Sequence, residues 1–211
     1  MHGNLHGDAE YQREIKIKQS KAGKRFFLFF EGVGSYAEVF LNNKKVGQHS
    51  GGRTTFTIDV TDQLKTDGTK NELRVKASHP ANIQNLPWVC GGCSDERGFS
   101  EGSQPMGIFR PVHLVVTRDA RIEPFGVHAW ANSEKAQTIL NVKLTLKNYS
   151  PRKKTLLVIH QLQDASGKVI KEFSAPQPVQ LRAKDSITVS SVGIKVGNPV
   201  LWSVKNPYLY K

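Results

Sequence analysis

Hydrophobic and polar residues alternate with a period of two along most of this chain, the pattern of strands with one covered face. Tyr11, Arg13, Ile15 and Ile17 share one face of EYQREIKIK. Phe56, Ile58 and Val60 alternate in TTFTIDV, as do Leu73, Val75 and Ala77 in ELRVKA. RFFLFFEG, from Arg25 to Gly32, is a continuous apolar run, which predicts a strand covered on both faces. YAEVFL runs into Asn42-Asn43 and then KKVG. Two residues that tolerate positive φ between two strands predict a tight hairpin. A polar, glycine-rich stretch, CGGCSDERGFSEGSQPMG, then interrupts the pattern before IFRPVHLVV resumes it.

A second set of strands begins near Arg121. TILNVKLTLKN points Leu140, Val142, Leu144 and Leu146 inward. TLLVIHQLQ is expected to follow as one strand after a turn at Ser150-Pro151. Asp164-Ala165-Ser166-Gly167 predicts another turn, and SITVSSVGIKV closes the set. Asn71, Asn148 and Asp185 read as turn residues. No stretch of ten residues carries a 3.6-residue period, so the chain reads as all-β, with strands at sandwich spacing. TRDAR, from Thr117 to Arg121, separates the two apolar sets and predicts two domains, residues 1–118 and 119–211.

A hydrophobic content of 38% is enough to build cores and excludes wholesale disorder. No apolar run approaches the roughly 18 residues of a membrane span. MHGNLHGDAEYQR lacks the apolar core of a signal peptide. The net charge of +12 raises the question of nucleic acid or anionic glycan binding. The basic residues are dispersed, however, and RNA-recognition aromatics, zinc-finger spacing and a basic heptad helix are all missing. They read as solvated side chains that guard strand edges; no nucleic-acid and no membrane partner is expected.

Cys90 and Cys93 form a single CxxC, half the ligands of a tetrahedral site. His49 and His79 could complete it, but no spacing links them to it. No helical period follows the pair, as a thioredoxin-type thiol would need. Loop cysteines, a metal site and a redox pair stay open, and no cofactor or metal is assigned.

Several local patterns occur in a fixed order: Phe30-Glu31-Gly32-Val33, Ala37-Glu38-Val39, Asn42-Asn43-Lys44, Gly47-Gln48-His49-Ser50-Gly51-Gly52 and Asp59-Val60-Thr61. Gly107-Ile108-Phe109-Arg110 and the closing LWSVKNPYLYK come later. Together they resemble the N-terminal part of glycoside hydrolase family 2, which contains β-galactosidases, β-glucuronidases and β-mannosidases. Asn43 stands where the family has a hairpin Gly, and Asn also tolerates positive φ. The resemblance implies a jelly-roll-like, galactose-binding-domain-like sandwich followed by an immunoglobulin-like sandwich. It also implies that catalysis resides in a following (β/α)₈ barrel with an acid/base Glu and a nucleophilic Glu. A chain that stops at Lys211 is then expected to be a non-catalytic fragment that lacks this barrel and the opening strands of the first domain. Retaining glycosidases need two carboxyls about 5 Å apart. Asp95, Glu96 and Glu101 are the only dense acidic group here.

By the same resemblance Glu101, placed before Gly107 where the family usually has Asp, reaches toward the barrel's sugar pocket. There an ionised carboxylate accepts hydrogen bonds from sugar hydroxyls. Trp88, at the head of the same loop, either stacks on a sugar ring or anchors the loop. Arg110 is expected to pack and to hydrogen-bond loop carbonyls. Trp130 and Trp202 are expected in a core or an interface. The implied enzyme hydrolyses a terminal β-linked sugar with retention, β-galactosidase first, in the periplasm or outside a bacterium. Two other readings stand beside it: a free-standing carbohydrate-binding module, and a basic protein that binds nucleic acid or acidic polysaccharide.

Overall fold

The computed structural model describes residues 6–79, 106–134, 137–175 and 177–211. Every regular element among them is a strand. The chain divides into two compact units, Met1–Thr117 and Arg118–Lys211.

The first unit contains β1 (Gly7–Lys18), β2 (Lys24–Phe30), β3 (Val33–Gly34), β4 (Tyr36–Leu41), β5 (Lys44–Ser50), β6 (Phe56–Asp59), β7 (Asp67–His79), β8 (Gly107–Ile108) and β9 (Val112–Arg118). An antiparallel sheet runs in the order β1-β7-β4-β5. A second sheet runs β6-β2-β9, and β3 pairs with β8. Alternating residues of β2, β4 and β7 meet in one core, with Phe26, Phe30, Val39, Leu41 and Val75 at its centre. Each such side chain contributes about 1.5–3 kcal/mol when fully buried. Phe27, on the opposite face of β2, is 1% exposed. Both faces of β2 are therefore covered, which is why its sequence does not alternate.

Leu41 pairs with Lys44, so Asn42-Asn43 is a two-residue hairpin loop. Their φ values of 52° and 64° fit the turn whose twist matches the flanking strands. The Asn42 amide also latches the hairpin tip to the rest of the domain. Its Nδ2 donates to Gln63 O (3.1 Å) and to Asn71 Oδ1 (3.0 Å), while its Oδ1 accepts from the Glu72 amide (3.1 Å). Asn71 is not a turn residue. It lies in β7, fully buried, and its side chain satisfies both backbone polar groups of Lys65, at 2.7 and 2.8 Å. An amide donates and accepts at once, so it can replace a missing strand neighbour for an irregular segment.

The second unit contains β10 (Ala120–Glu134), β11 (Gln137–Asn148), β12 (Lys154–Leu156), β13 (Ile159–Gln163), β14 (Val169–Ser174), β15 (Val179–Leu181) and β16 (Ser186–Val196). One sheet runs β10-β11-β16; β12 pairs with β15, and β13 with β14. TLLVIHQLQ is therefore two strands rather than one. The chain leaves β15 after Leu156 and joins β14 from Ile159, with Val158 buried between them. The core gathers Leu144, Leu146, Val158, Ala175, Val179 and Leu181. Asn148 is fully buried and donates to the carbonyls of Arg152 (2.7 Å) and Arg182 (2.8 Å), which closes the turn after β11. In the 164–167 turn Asp164 Oδ1 accepts from the Ser166 hydroxyl and amide, and Gly167 has φ of 90°.

Candidate functional site

The Gly107-Ile108-Phe109-Arg110 segment is where the first unit concentrates unusual geometry. Gly107 has φ of 79°, and a Cβ there would lie 2.1 Å from the Tyr11 hydroxyl oxygen. Only glycine fits both the backbone and the space. The Tyr11 hydroxyl accepts a hydrogen bond from the Ile108 amide at 3.3 Å. Phe109 lies against Gly32, where an added Cβ would come within 2.7 Å of the ring. The Phe-x-Gly-Val and Gly-Ile-aromatic-Arg patterns, remote in sequence, are thus two halves of one contact. Arg110 is exposed, with its guanidinium carbon 5.9 Å from the Phe109 ring centroid.

Beside this segment opens a cavity of about 480 Å³ between β1, β7 and residues 108–112. Tyr11, Arg13, Phe30, Val75, Phe109 and Arg110 are among its lining residues. The sequence puts Tyr11 and Arg13 on one face of a strand with Ile15 and Ile17 and assigns them no site. A charged residue sharing the face of Ile15 and Ile17 on an alternating strand is the signal that could have found it.

Ser35 and His79 are nearly fully buried, and Ser35 Oγ lies 2.7 Å from His79 Nδ1. The His79 ring stacks on His6 with centroids 5.0 Å apart. Burial, with repulsion from His6 behind it, lowers the His79 pKa below the usual imidazole value. His49 stacks on Phe56 at 4.2 Å, its Nε2 lies 2.8 Å from Thr54 Oγ1, and burial lowers its pKa too. These contacts fix both histidines as packing residues. Among the described residues no group of three or more His, Cys, Asp or Glu side chains is placed to hold a metal ion. Glu101, Trp88, Cys90 and Cys93 lie outside the described residues.

Several described carboxylates are occupied by structural work. Asp59 pairs with Arg25 and accepts from the Thr61 hydroxyl (2.7 Å) and amide (3.0 Å). Burial alone would raise its pKa, but hydrogen bonds from Thr61 and Arg25 outweigh that and hold it low. Glu14 pairs with Lys70, Glu31 with His113, and Asp119 with Lys154. In the second unit Glu123 accepts from the Tyr149 hydroxyl at 2.8 Å and pairs with Arg121. Burial, together with that hydrogen bond, pushes the Tyr149 phenol up to about 12.

Trp202 is 58% exposed, so it is not a core residue of the second unit. With Trp130, Leu140, Tyr208 and Tyr210 it lines a cavity of about 430 Å³. The terminal segment is tied down where Gln163 and Lys211 exchange backbone hydrogen bonds, at 2.8 and 2.9 Å.

Residues 5–86 match the family described as glycosyl hydrolase 2 galactose-binding domain-like, and residues 120–211 match glycosyl hydrolases family 2. The β-galactosidase BoGH2A of Bacteroides ovatus is 29% identical over 95% of this chain and 21% of its own length. A β-glucuronidase of Bacteroides fragilis is 36% identical over 56% of this chain and 15% of its own length. The chain thus spans about a fifth, or less, of the length of these curated relatives. Among solved structures, Bacteroides uniformis β-glucuronidase 2, covalently bound to cyclophellitol-6-carboxylate aziridine, superposes with a TM-score of 0.81 at 25% identity. That match covers 98% of this chain and 24% of the other. A family 2 member from Bacteroides cellulosilyticus gives 0.78 at 25% identity, over 98% of this chain and 26% of the other.

Proposed function

Because the chain belongs to glycoside hydrolase family 2, we propose that it forms the two N-terminal, non-catalytic β-sandwiches of a retaining glycosidase. The substrate is a terminal β-linked sugar, with a β-galactoside first among the candidates. One observation carries this reading: 95% of this chain aligns with only 21% of BoGH2A, a β-galactosidase. The engagement of Asp59, Glu14, Glu31 and Asp119 in ion pairs is consistent with it. In the whole enzyme one Glu attacks the anomeric carbon. A second protonates the leaving oxygen and then activates water. Both belong to the barrel. Arg110 and Trp202 play structural parts in these two domains, and the enzyme acts in the periplasm or outside the cell.

The 211-residue chain is expected to show no turnover of nitrophenyl β-D-galactoside, and the whole protein to cleave it. Turnover by the 211-residue chain would overturn the non-catalytic role. Cleavage of the β-glucuronide instead by the whole protein would overturn the sugar assignment alone. Glu101 and Trp88 are assigned to the substrate pocket of the whole enzyme. Losing one hydrogen bond from a sugar hydroxyl to a charged carboxylate costs about 1.5–3 kcal/mol, so Glu101→Gln should raise KM at least about tenfold.

A further inference from the structure

The start of β7 is irregular, and the irregularity brings a carboxyl close to a main-chain nitrogen. Lys16 pairs with Lys70 and Lys18 with Asp67, so β7 carries one residue more than β1 across this interval, a β-bulge. Gly68 sits in the bulge with φ of 95°. Space would admit a side chain there, since nothing lies within 4 Å of an added Cβ, but that backbone would strain it. Asp67, just before it, is exposed. Its Oδ1 accepts from the Thr69 amide (2.9 Å) and from the Thr69 hydroxyl (2.6 Å). These bonds fold the carboxyl forward along the main chain, over Gly68. Asp67-Gly68 is the only aspartate–glycine pair in the sequence, and no asparagine precedes a glycine. Two effects oppose each other at this pair. Gly68 has no Cβ to shield its nitrogen from the folded carboxyl. An ionised carboxylate resists attack, however, and Thr69 favours the ionised form. Hydrogen bonds from its hydroxyl and then its amide hold the Asp67 carboxyl below its usual range, with the Lys65 charge adding to them.

We propose that Asp67-Gly68 is a self-modification site, which converts to an isoaspartyl linkage through a succinimide at a rate governed by Thr69. In the neutral acid the Gly68 nitrogen bonds to Asp67 Cγ, and its proton leaves with the carboxyl hydroxyl as water. A water molecule then adds to the main-chain carbonyl carbon of Asp67 and breaks that carbon's bond to the Gly68 nitrogen. The peptide now runs through Cγ. The main chain is longer by one methylene, and a free carboxylate hangs from Cα. The water lost equals the water gained, and no other reactant enters. The change removes the carboxylate from Thr69 and disturbs the Lys18–Asp67 pairing. The neighbouring bond from the Gln19 amide to Thr66 O, 2.9 Å, is then the first to loosen. Every reacting group lies within residues 67–68, so the site is independent of which glycoside the whole enzyme cleaves.

The test is ageing of the 211-residue chain at physiological temperature and pH, followed by tryptic peptide mapping. The Thr66–Lys70 peptide should split into two species of equal mass, one of them a substrate for an isoaspartyl methyltransferase. Thr69→Val keeps the shape and loses the hydroxyl. It should convert at least about threefold faster, a modest share of what a hydrogen bond to a charged group is worth. Asp67→Glu, which cannot close the same five-membered ring, should give no isomer at this position. In the modified chain the Gln19 amide should exchange its hydrogen faster, and the Asn148 amide at its former rate. A native chain that stays unmodified while the free Thr66–Lys70 peptide converts completely would sink the site. Conversion at Asp164 or Asp185 ahead of Asp67 would do the same. Equal rates in the original and Thr69→Val chains would overturn the governing role of Thr69.

Discussion

Gly107 and the buried titratable groups carry the sharpest consequences at the scale of single residues. Gly107→Ala must hold alanine at φ of 79° and place its Cβ 2.1 Å from the Tyr11 hydroxyl oxygen. A loss of about 3 kcal/mol is expected, measurable by urea unfolding. Adding Tyr11→Ala removes the steric part only, so the pair should fall short of the sum of the two single losses. His79, His49 and His160 all have lowered pKa values, and burial is the leading cause for each. The unfolded chain therefore binds protons that the native state refuses. The stability these neutral imidazoles provide is complete above the unfolded value of about 6.5. It is lost as pH falls below that value. Thermal melts across about pH 8 to 5 should show Tm dropping on the acid side. At the other extreme, Tyr149 at about 12 ionises later in the native state than in the unfolded one. Stability should thus decline as pH rises from roughly 10 toward that value, and Tyr149→Phe should flatten the decline.

At the scale of elements the alternation of apolar residues was a good guide wherever one strand kept one covered face. It identified β1, β4, β6, β7 and β11, and the unbroken run of β2 correctly signalled two covered faces. It failed between β12 and β13, because TLLVIHQLQ stays apolar while its hydrogen-bond partner changes from β15 to β14. Hydrophobicity records burial and not the identity of the neighbouring strand. It failed differently at Asn71, where composition suggests a turn and the structure places a buried amide inside β7. Asn71→Ala would strip both polar groups of Lys65 and one partner of Asn42. A loss of about 2–4 kcal/mol is expected in chemical denaturation, well above that of a surface Asn. The candidate site was half legible. The motif around Gly107 announced itself through glycine and arginine, but the cavity joins it to β1, across a separation that spacing alone does not bridge.

At the scale of the whole chain there are two compact units, each with a core of its own. Calorimetry should therefore assign core substitutions to separate transitions, with Leu28→Ala and Leu144→Ala each lowering a different one. A buried leucine truncated to alanine costs about 2–5 kcal/mol, ample for the shift to be seen. A single transition moved equally by both substitutions would contradict independent cores. The whole molecule also has a history in time. The Asn42-Asn43 turn can form from neighbouring residues alone, whereas the bonds from Asn42 to Gln63, Asn71 and Glu72 must wait for residues 63–72. The hairpin tip is thus made early and locked late. Asn43→Gly, which eases the positive φ, should accelerate refolding. Asn71→Ala should leave the refolding rate nearly unchanged and hasten unfolding. One small polar latch would then set how long the native state lasts rather than how quickly it is reached.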